Sequence, residues 1–342
     1  MLTTSLDHST ARAAVALANL APSVHNSQPW RWRIGDASIH LFADATRALP
    51  ATDPDARDLR ISCGAALHHL RVALLAAGLG SRVHRLPDPG HPEHLAAVEP
   101  VPAQPTPDDL ALARAVETRR SDRRAFSTWP VPPEFLAQLV AAAAGQDGDL
   151  RILPGVHRSL VARLVERAAV EQALTPGLAQ EVARWTGTAR GAREGVPAAN
   201  VPPQADGTVP VRRFAAAEQA PTVLGRDETD GTVVALLATS GDSRVDQLRA
   251  GEALSAVLLT ATRLGLATDP ISQPLEVPAA RAQLKAAVLA EAGEPQILVR
   301  LGWAPISADP VPRTGRRPLA DTVDRMDRPW SPDRPWSADR PG

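Results

Sequence analysis

Gly64-Ala-Ala66-Leu67, in a helix that ends at Gly78-Leu79, and Gly251-Glu-Ala253-Leu254, in a helix that ends at Gly265-Leu266, carry the reading on which the fold depends. In both, the closing glycine stands 14 positions after the opening one. A strand-like run precedes each helix, at 39–42 and 233–238. Further upstream, a helix over 12–20 leads to a strand at Trp30, much as one over 136–144 leads to a strand at Leu150. Two readings fit. Helices rich in Ala, Leu and Gly resemble one another by composition alone, or the chain is a duplicated unit. Duplicated halves would pack as a pseudo-dimer, with a site where they meet.

The chain has 342 residues, 44% of them hydrophobic, which is enough for one large domain or two modest ones. A net charge of −1 gives no electrostatic case for nucleic acid or an anionic membrane. No apolar run reaches bilayer length, so no membrane partner is expected. Residues 1–8 have neither a basic start nor an apolar stretch, and no signal peptide is read there. The single cysteine, Cys63, excludes an intramolecular disulfide, and a cytoplasmic location is expected. Basic residues are almost all arginine, Lys285 being the one lysine, so arginine clusters arise here more readily by chance.

Along the chain, helix signals begin near Thr10, with Ser9 or Thr10 as cap. The segments 30–34 and 38–42 alternate around Gly35-Asp36-Ala37 and predict a hairpin. A second helix is expected over 63–77. Residues 87–109 are rich in proline and read as a linker between halves. The expected division is 1–107, then 108–323, then a Pro-rich tail, 324–342, repeating Asp-Arg-Pro-Trp. In the second half helices are expected over 108–118, 133–144, 160–174 and 251–264, and strands over 150–153, 233–238 and 296–301. Residues 187–230 lose periodicity over a span unusual for a compact protein, and are the candidate lid.

Three segments carry chemistry. Ala21-Pro22-Ser23-Val24-His25-Asn26-Ser27-Gln28-Pro29-Trp30 resembles the Ser-Pro-Ser-x-x-Asn-x-Gln-Pro-Trp loop of FMN-dependent nitroreductases. Arg119-Arg120-Ser121-Asp122-Arg123 resembles the Arg-x-Ser-x-Arg phosphate motif of that family. The helix from Gly251, followed by Asp269-Pro270-Ile271-Ser272, resembles its second helix and flavin-flanking loop. The phosphate motif follows the loop by about a hundred residues rather than preceding it. That order resembles the fused, two-domain, Acg-like subgroup, over most of residues 10–320.

The resemblance implies an α+β fold of two tandem nitroreductase-like halves, each an antiparallel or mixed sheet flanked by helices. It implies one FMN between them, reduced by NAD(P)H and reoxidised by a nitroaromatic or quinone-like acceptor. Arg119, Arg120, Arg123 and Ser121 would hold the phosphate, since guanidinium forks match its oxygens. Arg316 and Arg317 would return to it from the C-terminal segment; they read equally as surface charge. The amides of Asn26 and Gln28, with Ser23, suit the alternating donors and acceptors of the flavin pyrimidine edge. Pro22 and His25 belong to the same loop, His25 reading as structural rather than catalytic. Arg123 would stabilise negative charge on the reduced ring, and Pro270, Ile271 and Ser272 would lie along it. No side-chain acid or base stands out.

Each half lacks a part that the other keeps. Residues 1–12 contain no Arg-x-Ser-x-Arg, and 145–149 contain no Asn-x-Gln-Pro-Trp. One composite site can be assembled and a second cannot. No Rossmann or nucleophile-elbow motif occurs. His91 and His94 flank Pro92 in a loop-like stretch, and no zinc site is expected. Two function classes follow: a working reductase, or a protein that sequesters FMN beneath a lid. A monomer containing an intramolecular pseudo-dimer, or a weak homodimer, is expected.

Overall fold

Alternation in Trp30-Arg31-Trp32-Arg33-Ile34 sends Trp30, Trp32 and Ile34 into a core and turns both arginines outward. Both indole N–H groups donate to Asn19 Oδ1, at 3.0 and 2.9 Å, which fixes the strand against the preceding helix. In the computed structural model, which describes residues 6–189, 191–201, 210, 212, 231–305 and 309–324, this strand belongs to the first of two main sheets.

The first unit runs α1 (His8–Ala18), β1 (Trp30–Ile34), β2 (Ile39–Ala43), α2 (Arg57–Ala76), β3 (Leu79–Arg85) and β4 (His94–Pro102). After α3 (Pro107–Thr118) the order recurs, as α4 (Pro133–Ala144), β5 (Asp149–Ile152), β8 (Val233–Thr239), α7 (Arg244–Arg263), β9 (Ala267–Ile271) and β10 (Glu294–Gly302). Between β5 and β8 lie α5 (Gly155–Ala173), α6 (Leu178–Trp185) and the short pair β6 (Thr186–Thr188) and β7 (Val196–Pro197). Helix α8 (Pro278–Leu284) precedes β10. The sheets have the orders β1-β2-β4-β3 and β5-β8-β10-β9, with every one of these neighbours antiparallel. Strand β11 (Val323–Asp324) adds to β1 in parallel, which makes the first sheet mixed and returns the C-terminal segment to it. The α+β reading holds.

Helices α2 and α7 cross at the centre. Gly64 and Gly251, 187 positions apart, meet at the crossing. A Cβ on Gly64 would lie 2.0 Å from the Leu248 carbonyl oxygen, and one on Gly251 would lie 2.0 Å from that of Ile61. Ile61 and Leu248 are themselves 187 apart, and they exchange places. Ile61 of α2 packs in the core of the second sheet, and Leu248 of α7 packs in the core of the first. His68 Nδ1 and Ser255 Oγ, another pair at that spacing, stand 2.8 Å apart. Gly78 and Gly265 end the two helices with the same φ of +82°.

Several local expectations change. Asp7, not Ser9 or Thr10, caps α1, because its carboxylate reaches the Thr10 N–H at 2.8 Å. Helix α2 starts six residues before the expected 63, since the Asp53 carboxylate accepts the N–H groups of Asp58 and Leu59 at 3.1 and 2.8 Å. Residues 87–109 are not a linker. They contain β4, which pairs on both sides, and the start of α3. Of the expected lid, 187–189, 191–201, 210 and 212 are described; the Asp-Arg-Pro-Trp repeats lie outside the described residues. No described helix is long and apolar enough to cross a membrane.

Candidate ligand cleft between the two sheets

Residues 121–122 run beside β9, with Ser121 bridged to Thr268 and the Asp122 N–H bonded to the Thr268 carbonyl at 2.8 Å. In this extended stretch alternate side chains diverge. Asp122 turns inward to bind Arg124, at 2.7 Å, while Arg119, Ser121 and Arg123 face a cleft. The cleft has two chambers that share Pro22, Ser23, Ser121 and Arg123 as a waist. Their empty volumes, open mouths included, are ≈ 630 and ≈ 800 Å³.

The outer chamber is a basic cradle. Arg119, Arg120, Arg313 and Arg316 line it, and among the described residues none of the four has a carboxylate within ion-pair distance. Arg119 is only 5% exposed, yet its Nε and one terminal nitrogen have no hydrogen-bond partner. Burial, then the charges of Arg120 and Arg123, pull its pKa down to about 10. Burial and the neighbouring guanidinium groups of Arg119, Arg120 and Arg313 pull that of Arg316 down to about 9. Both remain cationic at neutral pH. Buried, mutually repelling cations with unfilled donors fit a multiply charged anion.

The inner chamber has mixed walls, with an apolar part from Ile61, Leu254, Ile271, Ile297, Pro22 and Pro270. Its polar part includes Ser62, Ser272, Gln273, Asp58, Asp269 and Arg212, with His25 beside them. The loop 24–28 borders both chambers, Val24 and His25 the inner and Asn26 the outer, with His25, Asn26 and Gln28 at φ values of 51°, 54° and 52°. Burial foremost, then Arg212 and Arg123, hold the His25 imidazole well below its usual pKa, so it is neutral.

Twelve of the fourteen residues singled out in the sequence line one chamber or both. Gln28 and Arg317 do not; they engage each other. The Arg317 N–H donates to Gln28 Oε1 at 2.8 Å, and Gln28 Nε2 donates to the Arg193 carbonyl at 2.9 Å. Asn26 lines the outer chamber, but its Nδ2 donates to the carbonyls of Gly195 and Gly315 at 3.0 and 3.2 Å. These amides staple two chain segments to the loop, and one staple carries Arg316 into the cradle. Sequence reading did not find Arg313, Asp58 or Arg212. Arg313 stands three positions before Arg316, in the same basic run, and Asp58 belongs to the polar stretch 53–58. Arg212 has no local signal.

The positions related by the 187-residue spacing look different. Ser272 and Ser62 correspond to Arg85 and Arg249. Arg85 Nε donates to Glu252 Oε2 at 2.7 Å. Arg71 donates both to Glu252, at 2.7 Å, and to Gln146 at 2.6 Å. Arg249 lies 3.5 Å from Asp147. Charged pairs occupy the place where the other side has a cleft.

No family model matches the chain. Two proteins of Mycobacterium tuberculosis H37Rv are similar to it over nearly their whole length. "Putative NAD(P)H nitroreductase Rv3131" is 44% identical over 93% of this chain and 92% of that protein. "Putative NAD(P)H nitroreductase acg" is 36% identical over 90% of this chain and 93% of that protein. Among solved structures, the FMN-dependent nitroreductase NfnB from Mycobacterium smegmatis, in complex with NADPH, aligns with TM-score 0.39 and 19% identity. That alignment covers 64% of this chain and 98% of that one. Identity of this order, sustained over nine-tenths of both chains, means that the protein belongs to the nitroreductase family.

Proposed function

We propose that the chain binds one FMN between two duplicated halves and acts as an NAD(P)H-dependent oxidoreductase on nitroaromatic or quinone-like acceptors. The observation that carries this reading is the joined cleft, with uncompensated arginines at one end and a chamber of mixed apolar and polar walls at the other. FMN likewise joins a phosphate dianion to a flat ring with a polar edge. Arg119, Arg120 and Arg316 hold the phosphate, each charge-assisted bond contributing about 1.5–3 kcal/mol. Arg123, at the waist, keeps a cation beside the ring position, and Pro270–Ser272 wall it. FMN, when bound, supplies two-electron chemistry between NAD(P)H and the acceptor. The side chains bind, orient and tune. The ion cluster around Glu252 supports a single site per chain, because it fills the pseudo-equivalent position with charge.

A second reading, FMN sequestration, is favoured by one contact. Arg212, from the segment 187–230, reaches the inner chamber, where it pairs with Glu276 and approaches His25 Nε2 at 3.3 Å. A side chain at that point competes with a stacking substrate. The test is the visible spectrum of protein purified without added cofactor, with released FMN counted per chain and NADPH then added anaerobically. One FMN that bleaches rapidly is expected of the reductase, and one that stays yellow selects sequestration. Two FMN per chain, or none even after reconstitution, overturns the site.

A further inference from the structure

The inner chamber contains a carboxylate that the protein leaves unsatisfied. Asp58 lines it, is 2% exposed, and has no hydrogen bond to either carboxylate oxygen. The Arg57 guanidinium lies 2.6 Å away but out of hydrogen-bond alignment, and it donates instead to the Gln296 carbonyl at 2.6 Å. Two further carboxylates stand nearby. Asp269, which also lines the chamber, accepts from Arg300 at 3.3 Å, and Glu276 is likewise in the opposite condition. It pairs with Arg212 and accepts from Ser272 Oγ at 2.7 Å and from Gln172 Nε2 at 2.6 Å. Among these carboxylates, Asp58 alone has both oxygens buried and without a hydrogen bond. The position 187 residues on is Val245, so this acid has no counterpart on the side filled by the ion cluster.

We propose that Asp58 takes up a proton from solvent when negative charge enters the inner chamber, and so compensates the charge of the reduced flavin ring. This deepens the FMN reading and rests on it. As NAD(P)H is oxidised, its hydride carries two electrons and one proton to the flavin, which gains one negative charge. Asp58 gains one proton from water, forming one O–H bond, and no protein bond breaks. The groups facing the Asp58 carboxylate are Arg57 beside it on α2, Asp53 from the segment before α2, Glu276 from the segment after β9, and Arg212 from 187–230. Burial is the chief influence and raises the carboxyl to about 7; Arg57 opposes it, Asp53 and Glu276 add to it, and Arg212 opposes it. A new negative charge in the chamber raises it further.

The experiment is an equilibrium dye titration of the bound-FMN midpoint potential against pH, on holoprotein and on Asp58→Asn. Each proton taken up in a two-electron couple adds a slope of about 30 mV per pH unit. Wild type is expected to show about 60 mV per unit above roughly pH 7, where Asp58 is ionised before reduction. Asp58→Asn should show half that slope, and Asp58→Glu should recover the steep one. A wild-type slope that stays near ~30 mV overturns the proposal without any variant. So does the same steep slope in Asp58→Asn. Protein that binds no FMN at all overturns the functional reading first, and this inference with it.

Discussion

At the scale of single residues, a buried charge leaves two kinds of signature: what it holds and what it costs. Arg119 carries donors that no described group fills, so its removal is expected to show in ligand retention rather than in folding. We expect Arg119→Ala to lower FMN bound per chain at least tenfold on desalting, and His25→Ala to lower it far less, since the neutral imidazole adds no charge to the cradle. Equal retention in the two variants would refute the cradle. Asp58 should show in stability. Its carboxyl is raised by burial, so the folded chain holds the proton more tightly than the unfolded chain does. The favourable contribution is therefore present at acid pH and is lost as pH rises from the ordinary carboxylate range through about 7. Removing the carboxylate also leaves the buried Arg57 without its ion-pair partner, so the prediction concerns the trend: the melting temperature of Asp58→Asn relative to wild type is expected to rise as pH climbs through that range. Differential scanning fluorimetry across pH checks the sign.

At the scale of elements, the α2–α7 crossing depends on two missing side chains. Either Gly64→Ala or Gly251→Ala sets a methyl 2.0 Å from a backbone oxygen. The helices must then separate, and the exchanged Ile61 and Leu248 lose their pockets. A loss of about 3 kcal/mol or more is expected for each, measured by urea denaturation. A change below ~1 kcal/mol would mean that the crossing is looser than described. The same helices were the most legible part of the chain, because a glycine-marked 3.6-residue pattern is local. So was the β1–β2 hairpin, where tryptophan and arginine alternate. The β3–β4 hairpin was hidden by its prolines. Pro100 and Pro102 look like strand breakers, but they lie beyond the stretch of β4 that pairs with β2 and have partners only on β3. A proline there removes an N–H that no second neighbour needs. In the cleft, the loop and arginine motifs were readable because their residues are contiguous. Asp58 and Arg212 were not, since their meaning comes from Glu276 and His25, far away in sequence. The roles of Gln28 and Arg317 as mutual anchors were equally invisible, because only the fold brings the C-terminal segment back beside the loop.

At the scale of the whole molecule, two sheets of one topology share a centre but differ at their flanks, with a cleft on one side and charge on the other. Glu252 is fully buried between Arg71 and Arg85. Removing one member of such a cluster leaves the others uncompensated, so Glu252→Gln is expected to destabilise the fold by about 3–5 kcal/mol. Because the cluster stands apart from the cleft, FMN per folded chain should stay at one. Guanidinium denaturation read alongside flavin content tests both halves of that statement. A second flavin in this variant would show the far position to be a masked site rather than a closed one.

The waist residues Pro22, Ser23, Ser121 and Arg123 come from two distant stretches of a single polypeptide. Where separate subunits build such a site, dilution takes it apart, and a damaged copy spoils the sound copies it pairs with. Here a covalent tether replaces association. On the proposed single-chain site, occupancy at a given free ligand concentration is expected to stay unchanged from micromolar to nanomolar protein, and a cleft-defective copy mixed with an intact one is expected to leave the intact copy's occupancy as it was; a fall in either would show that a second copy contributes to the site.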